Sequence, residues 1–131
     1  MIIPTTIAQK AAVAALTSGQ ECVTEMNKAF LRRKNMMVTL LRDIEGLKVY
    51  EPEGAFYVFP VIKYYLGKSV NGKKMNTATD LCLYLLEEAH ISTVPGEAFG
   101  DPDCLRISFA NSDKNLTEAM KRMKEALERL K

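Results

Sequence analysis

A chain of 131 residues, 47% hydrophobic and 26% charged, has the size and balance of one globular domain able to bury roughly two thirds of its unfolded surface. Its formal charge of +2, with basic and acidic residues interspersed, gives no electrostatic case for nucleic acid or an anionic membrane. No apolar run nears the roughly 20 residues of a membrane span. No basic-then-apolar leader is expected at the start, and the cysteines at 22, 82 and 104 lack the paired spacing of a zinc site. The expectation is a cytoplasmic chain with free thiols and no metal.

Residues Thr6 to Gln9 have the Thr-x-x-Gln spacing of a capping box, so a helix is expected to follow and run to about Leu16, where Ser18-Gly19 stops it. A second helix is expected over 20–44, because Val23, Met26, Phe30, Met37, Leu40 and Ile44 keep three- and four-residue steps. At about 37 Å it is long enough to reach across a neighbouring surface. Its basic run Arg32-Arg33-Lys34 reads as a solvated helix face beside Glu21, Glu25 and Asp43. Residues 47–60 read as two short strands around a turn at Glu51 to Gly54. Residues 61–75, with Gly67, Gly72 and scattered lysines, read as a mobile surface connection.

Asn76 or Thr77 then caps a helix through His90, with Leu81, Cys82, Tyr84 and Leu85 facing inward. A strand over 91–94, a loop "PGEAFGDPD" and a strand over 104–110 follow. Ser112 caps a last helix whose Leu116, Ala119, Met120, Met123, Leu127 and Leu130 form one stripe. The seven methionines fall mostly on such stripes and read as core filler. The fold class is α/β, as a two-layer α+β arrangement: a small sheet of about four strands with helices packed on it, one long helix leading, in a single domain over 1–131.

No self-contained catalytic set emerges. His90, the one histidine, sits at a helix end, where cationic character is favourable in itself. The glycine loop "VPGEAFG" lacks a Gly-Lys-Ser/Thr ending and leads into a strand, so it fails the test for a phosphate loop. One residue stands out. In "CLRISFANS", Leu105, Ile107 and Phe109 alternate onto one face of a strand, which turns Arg106 to the other with Ser108 and Ala110. A permanent cation there needs water or an anion. Pattern alone leaves two readings open, a solvated or ion-paired surface arginine and a fork aimed at a carboxylate or phosphate. The glycine- and proline-rich loop before the strand and the small residues after it leave room for a ligand.

Three motifs in order, "GAFYVFP" (54–60), "VPGEAFG" (94–100) and "LRISFANS" (105–112), together with the leading "TTIAQKAAVAAL", resemble the C-terminal small domain of class I pyridoxal-phosphate-dependent aminotransferases, in the aspartate aminotransferase branch. The resemblance implies that Arg106 grips the α-carboxylate of an amino-acid or 2-oxo-acid substrate, with aspartate (or a similar amino acid) and 2-oxoglutarate as the exchanging pair. It implies pyridoxal 5'-phosphate as cofactor, a large domain of the same polypeptide that carries the Schiff-base lysine, and a homodimer. Lys10 and Lys28 match no part of the family's lysine motif, so this chain is expected to be inactive alone, with no cofactor bound. Phe56, Tyr57 and Phe59 are expected to pack at the domain edge. A preference for an aromatic amino acid or alanine, or a non-catalytic scaffold that kept the fold, are the alternatives. A docked large domain requires an exposed apolar flank on the first helix and part of the second; a scaffold would show polar residues there.

Overall fold

The computed structural model describes residues 4–131. Helix α1 covers Thr6–Thr17 and α2 Glu21–Arg42. The α1 cap lies one residue earlier than the Thr-x-x-Gln spacing suggests. Thr5 has the extended backbone of an N-cap and its hydroxyl accepts from the Ala8 amide at 3.4 Å, while Gln9 donates to the Pro4 carbonyl at 2.8 Å. No α1 residue is buried. In α2 the fully buried residues, Met37, Val38 and Leu41, lie in the C-terminal half, Phe30 packs partly buried against the core, and Ile44 is buried just beyond the helix. Val23 and Met26, on the same expected stripe, stay exposed. Arg32 and Arg33 are more than a solvated face, because both reach Asp113 on the last helix at 2.9–3.0 Å, and Lys34 meets Glu51 at 2.6 Å.

The sheet is small and antiparallel. Strands β1 (Tyr57–Val58), β4 (Val94–Pro95) and β5 (Leu105–Ser108) lie in the order β1-β5-β4, with Tyr57 opposite Ser108 and Val94 opposite Arg106. The strand expected at 47–50 contracts to one bridge, Lys48 to Val61. Residues 61–75 are not a mobile connection. They form a 3-10 turn, Lys63–Tyr65, and a hairpin of β2 (Ser69–Val70) and β3 (Lys73–Lys74). Asn71 and Gly72 take positive φ at its tip, the combination that a type I′ turn requires. Ile62, Tyr65 and Met75 bury their side chains, and Ser69 exchanges two backbone hydrogen bonds with Lys131.

Helix α3 (Ala78–Ala89) starts with a complete capping box between Thr77 and Asp80 and ends at His90 in the left-handed region. Arg122 donates to the Ala89 carbonyl at 3.0 Å, satisfying one of the acceptors left open at that end. Helix α4 (Asp113–Glu128) is capped by Ser112, as its sequence indicates. Leu105, Ile107 and Phe109 meet α2, α3 and α4 in one buried cluster that includes Met37, Leu81, Leu85, Met120 and Met123. Each fully buried side chain of this kind contributes roughly 1.5–3 kcal/mol. The helices therefore cover one face of the sheet, and Arg106 lies on the other.

Candidate carboxylate site on the open sheet face

Arg106 stands at the centre of that face, on the middle strand. The alternation of β5 buries Leu105 and Ile107, leaving Arg106 half-buried and Ser108 exposed. On the β1 side, the guanidinium carbon lies over the Tyr57 ring, 4.4 Å from its centroid. On the β4 side it lies over the Phe99 ring at 4.2 Å. Phe99 comes from the 3-10 turn Gly96–Phe99 and meets Phe59 edge-on at 6.2 Å. Each cation–ring contact is worth about 0.5–1 kcal/mol where solvent reaches it. Among the described residues no ion pair or side-chain hydrogen bond engages the Arg106 guanidinium. The ion-paired form of the surface reading is therefore absent among the described residues, and the half-buried guanidinium is open to water or to an anion.

Backbone hydrogen bonds fix the turn that carries Phe99 to the residue before β5. The Gly96 amide donates to the Cys104 carbonyl at 2.9 Å and the Asp101 amide to the Gly96 carbonyl at 3.1 Å. A Cβ on Gly96 would lie 2.0 Å from the Asp101 oxygen, so only glycine permits this approach. The nearby acids have other work. Asp103 pairs with Lys63 at 2.8 Å, and Asp101 accepts from the Cys104 thiol at 3.2 Å. Burial, with that carboxylate beside it, pushes the Cys104 thiol up to about 12, and burial also raises Cys82. His90 is exposed at its helix end and takes no part in the face. Open grooves of about 460 Å³ lie elsewhere, one between Phe30, Lys34 and the 51–55 turn, another beside His90 and Arg122. Neither contains Arg106, which occupies an open shelf.

Sequence singles out Arg106 and gives Tyr57 and the PGEAFG loop that carries Phe99 only a packing role at the domain edge, not contact with the guanidinium. Alternation puts each of Tyr57 and Arg106 on one face of its own strand, but their meeting depends on the pairing that sets Tyr57 opposite Ser108, two residues from Arg106.

A family model described as "Aminotransferase class I and II" matches residues 1–123. The chain belongs to this family. The aspartate aminotransferase of Rhizobium meliloti (strain 1021) is 45% identical over 128 residues, covering 97% of this chain and 31% of the relative. The "Bifunctional aspartate aminotransferase and glutamate/aspartate-prephenate aminotransferase" of Petunia hybrida is 46% identical over 129 residues, 95% of this chain and 27% of the relative. The crystal structure of the Rhizobium meliloti aspartate aminotransferase superposes with a TM-score of 0.91 at 44% identity, over 98% of this chain and 32% of that one. The chain thus spans under a third of the length of the curated relatives it matches.

Class I aminotransferases imply pyridoxal phosphate, which needs an amine to form its Schiff base and donors for its phosphate. Six of the described lysines do not fit that need. Lys10 is exposed and Lys28 pairs with Glu25 at 2.9 Å on the surface. Lys48, Lys63, Lys73 and Lys124 are all shifted upward, by Tyr50, Asp103, Glu87 and Asp43 respectively, the opposite of an activated amine. Among the described residues no cluster could hold a metal, and no helix is long and apolar enough to cross a membrane.

Proposed function

We propose that this chain is the C-terminal small domain of a pyridoxal-phosphate-dependent aminotransferase that exchanges an amino group between L-aspartate, or a similar amino acid, and 2-oxoglutarate. Within it, Arg106 holds the substrate's α-carboxylate. The observation that carries this reading is a guanidinium with no ion pair or side-chain hydrogen bond among the described residues, set against the Tyr57 and Phe99 rings on the helix-free face of the sheet. A planar fork matches a carboxylate with two parallel hydrogen bonds, which orients the substrate as well as attracting it. Orientation of this kind converts binding into rate, because the α-carbon is presented in one pose.

The apolar flank supports a large domain of the same polypeptide as the missing companion. Ile7 and Leu16 are 83% and 84% exposed on α1, and Val23, Met26 and Leu31 continue the exposed apolar surface along α2. A free-standing scaffold would place polar residues there. All three cysteines are free thiols, which suits a reducing cytosol.

The test is Arg106→Ala in the full-length holoenzyme. We expect kcat/KM for aspartate to fall by about 100-fold or more, on the order of 3 kcal/mol, with an unchanged melting temperature. Arg106→Lys restores only part of the loss, since an ammonium lacks the fork. An unchanged kcat/KM in Arg106→Ala defeats the assignment.

A further inference from the structure

We propose that Phe99 and Tyr57 are positioning residues for Arg106, holding its guanidinium by their ring faces so that its N–H fork stays open to a carboxylate; this rests on the carboxylate role argued above. An arginine side chain is long, and confining it to one pose costs rotamer entropy. The usual device is a neighbouring Asp or Glu, but a carboxylate partner would occupy the donors that the substrate needs. An aromatic face attracts the cation through its quadrupole and leaves the in-plane N–H donors uncommitted. Two rings do this, Tyr57 at 4.4 Å and Phe99 at 4.2 Å from the guanidinium carbon.

Each ring is fixed to the strand that bears Arg106. Tyr57 is in register with Ser108, and the Phe99 turn is fastened through Gly96 to Cys104 and Asp101. Phe59 meets the Phe99 ring at 87°, limiting its rotation. Phe99 is still 48% exposed, so the core does not account for its presence. Leucine at position 99 keeps an apolar contact for Phe59 and removes the ring face, which separates the two roles.

The experiment compares Phe99→Leu, Tyr57→Leu, Phe99→Tyr and Tyr57→Phe in the full-length holoenzyme, beside Arg106→Ala. Each leucine variant should raise KM for aspartate and for 2-oxoglutarate about two- to fivefold, with kcat unchanged within error and the melting temperature unchanged. The ring-retaining variants should restore KM. The inference is overturned if Phe99→Leu and Tyr57→Leu leave KM unchanged in an enzyme whose Arg106→Ala variant raises it. It is equally overturned if the leucine variants raise KM only in step with a lowered melting temperature, or if the ring-retaining variants fail to rescue. Should Arg106→Ala itself leave KM unchanged, the carboxylate reading falls first and this inference with it.

Discussion

Gly96 shows how a single missing methyl shapes the site. The two atoms nearest a Cβ there are backbone carbonyl oxygens, of Asp101 at 2.0 Å and Cys104 at 2.5 Å, and neither can rotate away as a side chain would. Gly96→Ala must therefore lift the 3-10 turn from β5, and Phe99 moves with it. We expect a loss of about 1–3 kcal/mol, read as a lower urea midpoint with an unchanged m-value. A second consequence at this scale concerns the thiols. Cys82 and Cys104 are buried and their thiols are raised, Cys104 to about 12, whereas Cys22 is exposed on α2. The thiolate is the reacting species, so Ellman's reagent at pH 8 should titrate Cys22 alone in the native chain and all three cysteines after denaturation. Rapid native reaction of more than one thiol would contradict the burial of the other two.

At the scale of elements, helix ends and their cross-links decide where acid acts. Thr77→Ala removes the hydroxyl that accepts from the Asp80 amide at 3.1 Å, and should cost α3 about 1 kcal/mol in a thermal or urea melt. Asp80 is held below its ordinary value by the Thr77 cap, Asp113 by Arg33 and Arg32, and Glu51 by Lys34. A carboxylate depressed in the folded state contributes stability that is present above its unfolded pKa and is lost as pH falls through the folded one. Urea midpoints should thus be level above about pH 5 and decline below about pH 4, and Asp113→Asn should make that decline shallower. A slope unaltered in Asp113→Asn would mean that the α2–α4 link carries none of it. These elements also show what sequence could convey. The α4 stripe and the Ser112 cap were legible because both signals lie within a few residues of each other. The hairpin at 69–74 was obscured by its lysines, although Asn71-Gly72 was the local sign of it, and the burial of Tyr65 and Met75 follows no period. Arg32 and Arg33 find Asp113 on a distant helix, and Tyr57 meets Arg106 only through strand pairing. Such partners are chosen by topology, which spacing along the chain does not report.

At the scale of the molecule, α1 presents a puzzle of energetics. It has 12 residues, near the length at which an isolated helix is marginal in water, and none of them is buried. No acidic residue lies in its first turn and no basic residue in its last, so its dipole is uncompensated, and its Thr5 cap is long at 3.4 Å. Ile7, Val13 and Leu16 are 83%, 61% and 84% exposed, an apolar load that nothing in the chain's own core takes up. On the proposed reading, the free energy that holds α1 helical comes from a large domain docked against it. Hydrogen exchange separates this from intrinsic stability. In the 131-residue chain, held at a concentration where sedimentation shows a monomer, the α1 amides should exchange within seconds, while α3 and α4 are protected to near the global unfolding free energy. In the full-length protein α1 should gain protection, and Ile7→Ser with Leu16→Ser should lower the melting temperature there while leaving that of the short chain unchanged. Protection of α1 equal to that of α4 in the monomeric short chain would show that the helix supports itself, and its apolar face would then need an explanation other than a docked domain.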